Sequence, residues 1–105
     1  MGGIPDGAAN KITGTFTAAG AADKSVACSG RFNVSIWGTF VATVVIERSF
    51  DGGSTFLPLS TDAYGTAVAL TVPCSLVIDE PEAGVIYRLR CTSWTSGSVN
   101  WRISQ

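Results

Sequence analysis

Val85-Ile86-Tyr87-Arg88-Leu89-Arg90-Cys91-Thr92, followed after a Thr95-Ser96-Gly97 turn signal by Val99-Asn100-Trp101-Arg102-Ile103-Ser104, is the stretch that decides the fold class. Val85, Tyr87, Leu89 and Cys91 fall on one side of an extended chain, and Ile86, Arg88, Arg90 and Thr92 on the other. Val99, Trp101 and Ile103 repeat the pattern against Asn100, Arg102 and Ser104. A period of two is the signature of a strand with one face in a core. Upstream, Phe32, Val34 and Ile36 alternate with Asn33, Ser35 and Trp37 until Gly38 breaks the run. Phe40 to Phe50 is the longest run, and Val41 to Ile46 is apolar on both phases. That predicts a central strand covered on both sides in its first half and one-sided from Glu47 and Arg48. Asp51-Gly52-Gly53 reads as a hairpin turn, with Thr55 to Leu59 returning from it. Thr66 to Val72, Ser75 to Ile78, Lys24 to Cys28 and Ile12 to Ala18 read as further short strands, the last ended by the Ala-Gly-Ala-Ala-Asp run. No window carries a helical period. The expectation is an all-β domain, a small antiparallel β-sandwich of jelly-roll or immunoglobulin-like type with about eight strands.

The 105 residues suit one domain. Residues 1–11 (MGGIPDGAANK) are rich in Gly, Ala and Pro without periodicity and read as a flexible N-terminal arm, leaving 12–105 as the sandwich. Charged residues make up 14%, against the usual ~25% of soluble domains. A small domain with so little charge is expected to have part of its surface covered by a partner or by its own copies, and a homo-oligomer is expected. A surface of Ser, Thr and Gly is the blander alternative. The net charge of -1 argues against direct nucleic-acid binding, and no run approaches the ~18 apolar residues of a membrane span. The N-terminus carries neither a basic nor an apolar leader region, so synthesis in a cytosol is expected. Cys28, Cys74 and Cys91 are odd in number and read as small buried apolar residues rather than a disulfide framework.

Ser49-Phe50-Asp51-Gly52-Gly53-Ser54-Thr55-Phe56 matches the Asp-box pattern Ser-x-Asp-x-Gly-x-Thr-aromatic known from sialidase-like propellers. Its physics is local: the Asp51 carboxylate can accept backbone N–H bonds across the turn, the glycines supply positive φ, and the aromatic Phe56 packs beneath the hairpin. A structural hairpin lock is the expectation, with a sugar or metal role as the alternative. Asp79, Glu80 and Glu82 around Pro81 supply too few regularly spaced oxygens for calcium and read as a solvated corner that discourages edge pairing. Gly84-Val85-Ile86-Tyr87 followed by Cys91 has some likeness to the tyrosine corner of sandwich domains, in which the hydroxyl bonds upstream backbone.

Arg88, Arg90 and Arg102 are expected on one outward face if the last two strands pair, as partner contacts beside Trp94 in the turn. Trp101 is expected in the core. Trp37 falls on a polar phase and is either a second-face core residue or an interface anchor. Gly2, Ile4 and Pro5 of the arm are further candidate contacts. With no histidine, the Ser-His-Asp and metal-histidine schemes are excluded, and no carboxylate pair or activated thiol is indicated. No enzyme, no cofactor and no metal are expected.

Four segments add a family resemblance. Thr13-Gly14-Thr15-Phe16-Thr17, Phe32-Asn33-Val34-Ser35-Ile36-Trp37-Gly38-Thr39-Phe40, Glu47-Arg48-Ser49-Phe50-Asp51-Gly52-Gly53 and Glu80-Pro81-Glu82-Ala83-Gly84-Val85-Ile86-Tyr87-Arg88-Leu89 together resemble small accessory proteins of tailed-bacteriophage virions. The resemblance implies a structural protein made in the bacterial host cytoplasm and carried on the virion. It would be a capsid decoration or cement protein bound to the major capsid protein or another virion protein. A tail- or fibre-associated protein, or a carbohydrate- or receptor-binding module, is the alternative. The latter would require a platform of exposed aromatics, for which Trp37, Phe56, Tyr64 and Trp94 are the candidates.

Overall fold

The computed structural model describes residues 10–105. Its strands are β1 (Lys11–Phe16), β2 (Gly20–Ala21), β3 (Val26–Ala27), β4 (Gly30–Trp37), β5 (Phe40–Ser49), β6 (Leu57–Pro58), β7 (Ala69–Leu70), β8 (Cys74–Glu80), β9 (Ile86–Gly97) and β10 (Val99–Ser104). β1, β10, β4 and β8 form a four-stranded sheet in that order. In the second sheet β9 and β5 are the central pair. The short β2 and β3 lie along the outer edge of β9, and β6 and β7 along that of β5. All pairings are antiparallel. The chain is therefore all-β, and the alternating phases explain how the sheets meet. Phe32, Val34, Ile36, Trp101 and Ile103 from one sheet share a single buried cluster with Val44, Ile46, Tyr87, Leu89 and Cys91 from the other. That is the core of a small sandwich. Trp101 is 1% exposed, and removing an indole of this size from water contributes roughly 4–6 kcal/mol. Gly14, paired across from it, leaves room for the ring, since a Cβ there would lie 2.5 Å from an indole carbon.

The chain passes between the sheets six times, and two of these passages, β4 to β5 and β9 to β10, meet at one end of the sandwich. Gly38 (φ 122°) and Gly97 (φ 85°) make these corners possible, because both sit in backbone regions that L side chains avoid. Ser98 N–H donates to the Thr39 carbonyl at 3.0 Å. A Cβ on Gly97 would collide with that same carbonyl and approach Phe40 Cα to 2.7 Å. At the opposite end Asn10 and Gln105 exchange backbone hydrogen bonds of 3.2 and 2.8 Å, and the Gln105 side chain bonds the Ser29 backbone through both its amide nitrogen and its oxygen.

Several elements differ from the sequence-based expectation. There are ten strands rather than about eight. Gly20 and Ala21, within the small-residue run, pair their backbone with Cys91 and Arg90, a role that needs no side chain. Lys11 belongs to β1 rather than to the arm. Thr95-Ser96-Gly97 does not turn; β9 continues through it along β5, with irregularities at Val41/Ala42 and Thr43/Val44 absorbing the register shifts. Burial on both phases of β5 falls from Val44 to Glu47 instead of in its first half, where Val41 is exposed. The expected strand Thr55 to Leu59 shrinks to Leu57–Pro58, where Pro58 has no N–H to give. Thr66 to Val72 shrinks likewise to Ala69–Leu70. β8 is longer than expected, reaching Glu80.

Candidate interaction surfaces

The Asp-box hairpin follows β5 directly, so the buried end of a central strand fixes where it starts. The Ser49 hydroxyl, fully buried, donates to the Asp51 carboxylate at 2.7 Å and accepts the Gly53 N–H at 2.9 Å. Asp51 in turn accepts the Thr55 N–H at 2.8 Å. Gly52 and Gly53 hold φ of 76° and 97°. The Thr55 N–H and the Ser49 hydroxyl stabilise the carboxylate and hold its pKa at about 2. Phe56 lies against Gly53 and under Arg88, whose guanidinium carbon is 3.7 Å from the ring centroid. Ser49, Asp51, Gly53, Thr55 and Phe56 thus form one locally bonded turn.

Beyond Phe56, the outer face of the second sheet carries an ion-pair relay. Glu47, 8% exposed, accepts Arg88 Nε at 2.8 Å through one oxygen and Arg90 Nε at 3.1 Å through the other. Sharing a carboxylate between two guanidinium groups lets a charged side chain sit at a nearly closed position on a central strand. Arg102 is not part of this surface. The sequence reading placed it beside Arg88 and Arg90 by pairing the last two strands, but β9 and β10 belong to different sheets. Arg102 therefore lies on the outer side of the four-stranded sheet, opposite Ser35 and Thr13.

Glu80 overturns the reading of residues 79–82 as a solvated corner. It is 1% exposed and faces into the sandwich, where it pairs with Arg48 of the other sheet. Its carboxylate also accepts the Tyr87 hydroxyl at 2.8 Å and the Glu82 N–H at 3.1 Å. Burial pushes the Glu80 carboxyl up, but the bonds from Arg48, Glu82 and Tyr87 outweigh it and the net shift is downward. Burial and the bond to Glu80 push Tyr87 to about 12. The tyrosine thus anchors on a carboxylate seven positions upstream rather than on backbone. Arg48 completes the group, 4.8 Å from the Phe50 ring centroid. Sequence reasoning missed this network, reading the strand only as one-sided from Glu47 and Arg48, although the phase of Ala42, Val44 and Ile46 carries Arg48 inward.

The large exposed apolar side chains are dispersed. Trp37 is 46% exposed on the outer side of the four-stranded sheet, whereas Phe56 sits with Arg88 against the outer side of the other. Trp94 lies in β9 rather than in a turn, opposite core-facing Ala42, and its indole N–H donates to the Gly97 carbonyl at 3.0 Å. Tyr64 is 95% exposed. It stands at the tip of a hairpin between β6 and β7, where the Asp62 carboxylate accepts the N–H groups of Tyr64 and Thr66 at 2.9 and 3.2 Å. The four aromatics do not share one face. Phe50 and Leu57 line a depression of about 220 Å³ with Asp51 and Thr55, a feature the sequence reading did not single out.

Cys28 and Cys91 are buried and Cys74 is half-buried, which departs from the expectation that all three are buried. Burial raises all three thiols, Cys28 to about 11. Among the described residues, no three His, Cys, Asp or Glu side chains come together as a metal-binding group. Gly2, Ile4 and Pro5 lie outside the described residues. Comparison with protein-family models, with curated proteins and with solved structures returned no match.

Proposed function

We propose that this chain is a non-enzymatic structural protein of a tailed-phage virion that decorates or cements the outer capsid lattice through contacts with the major capsid protein. One observation carries the contact role. Five charged side chains are bound in two ion-paired groups, Glu47 with Arg88 and Arg90 and Arg48 with Glu80, while Phe50, Leu57 and Tyr64 stand in or beside hydrogen-bonded turns with half or more of their surface open. Charge held internally and apolar groups held outward on ordered turns is the arrangement expected of a surface that is covered in use. Rigid turns also lower the entropy lost on docking. The virion setting rests on the resemblance of the four segments quoted above, and many weak contacts repeated over a lattice would sum by avidity. The glycan-binding alternative needs a shared aromatic platform, and Trp37 and Phe56 lie on opposite outer faces.

Quantitative mass spectrometry of particles from the phage or prophage encoding the chain tests this reading. A copy number comparable with that of the major capsid protein supports lattice decoration. A handful of copies moves the chain to the tail or a vertex, and absence from particles overturns the proposal.

A further inference from the structure

The edges of the two sheets are protected to different degrees. β2 and β3 are two-residue pieces, as are β6 and β7, so neither edge of the second sheet offers a continuous backbone ladder. The outer edge of β1 is partly occupied, with the Lys24 ammonium on the Thr13 carbonyl at 3.1 Å. Short strands and lysines are the devices that keep sheet edges from pairing with other chains. Along residues 74–78 β8 has neither, and its two charges, Asp79 and the inward-facing Glu80, are confined to one end. It is an unbroken seven-residue strand whose described strand partner is β4 alone. Pro73 precedes it, its first acidic residue is Asp79, and its central outward side chain, Val77, is 70% exposed.

We infer that β8 is a self-association edge, pairing antiparallel with β8 of a second copy about a twofold axis at Val77. The sequence of the strand selects this occupant and this register. Centring on Val77 uses all seven residues. On the outward side it sets Val77 against the copy's Val77 and the Ser75 hydroxyl opposite the copy's Asp79 carboxylate. On the inward side it sets Leu76 opposite the copy's Ile78, extending two half-buried core positions across the junction. Shifting the axis by one toward Asp79 would oppose that carboxylate to a valine; shifting by two would oppose it to its own copy, a like-charge pair that destabilises a sheet. An isologous contact of this kind closes at two copies and joins the two four-stranded sheets into one continuous sheet. The inference names the surface for the self-association expected from composition. It does not need the virion setting, and its test reads association alone.

The test is analytical ultracentrifugation of the full chain over a micromolar-to-millimolar range, with three variants. The expected result is a reversible dimer whose dissociation constant rises at least about tenfold in Val77→Lys. That side chain points to solvent, so the melting temperature of the monomer should stay unchanged. Under mild oxidation Val77→Cys should form a disulfide-linked dimer. Ser75→Cys should not, because its copy lies four residues away along the paired strand, about 13 Å. A wild-type chain that stays monomeric across the range overturns the inference. So does a dimer that ignores Val77→Lys, or one that cross-links through Ser75→Cys in preference to Val77→Cys.

Discussion

Asp51 is exposed, yet its carboxyl sits at about 2, because the Thr55 N–H and the Ser49 hydroxyl bind only its charged form. A carboxyl lowered by folding stabilises the native state above the ordinary carboxylate range of ~4 and loses that contribution as pH falls toward its own value. The Thr55 amide resonance should therefore titrate with a midpoint near 2 in an NMR pH series, and a midpoint in the ordinary range would show the turn lock to be open. Glu80 follows the same sign for a different reason: its bonds to Arg48, Tyr87 and Glu82 overcome the cost of burial. Glu80→Gln should lower unfolding free energy in urea by about 2–4 kcal/mol, since it strands the Arg48 guanidinium against the core edge. Arg48→Met in the Glu80→Gln background should recover part of that loss. The two residues differ in how they read from sequence. The Asp51 turn is bonded within a few positions, so its residue pattern was enough. The partner of Glu80 lies 32 positions away on the other sheet, and no local pattern encodes that.

Alternation along a strand reports which side chains enter the core, and it located the strand interiors at Phe32 to Ile36, Val85 to Cys91 and Val99 to Ile103. It does not report which strand lies alongside. A hairpin and an arch between two sheets impose the same inward phase on consecutive strands, so β9 and β10 looked like a pair while belonging to opposite layers. Arg102 was misplaced for that reason. The arch depends on the reversal at Gly97-Ser98, where no side chain fits against the Thr39 carbonyl. Gly97→Ala combines a strained φ with that collision and should destabilise the domain by at least about 2 kcal/mol. Gly52→Ala is strained too (φ 76°) but would meet no atom within 4 Å, so it should cost about 1–2 kcal/mol. Paired thermal melts check the ranking; equal losses would mean that the close approach at the arch contributes nothing.

Across the whole molecule, the class of fold was legible because the sandwich core is a sum of local alternations. The surface was legible only in part. Composition indicated a shortage of charge, but not that five of the charged groups would be bound in two ion-paired groups. Nor could it indicate that Phe50 and Leu57 would line a depression beside the Asp-box turn. Those outcomes depend on which elements become neighbours, a property of topology rather than of any one segment. The meeting of Asn10 with Gln105 has a topological consequence of its own. With Gln105 hydrogen-bonded to Asn10, these two positions adjoin, so a short linker could join them without crossing the fold. New ends could then be opened at the exposed tip between Asp62 and Gly65. Such a circular permutant should keep the parent's β-sheet circular dichroism and its shielded Trp101 emission, whereas a molten spectrum would mean that the sandwich depends on the order in which its strands are threaded.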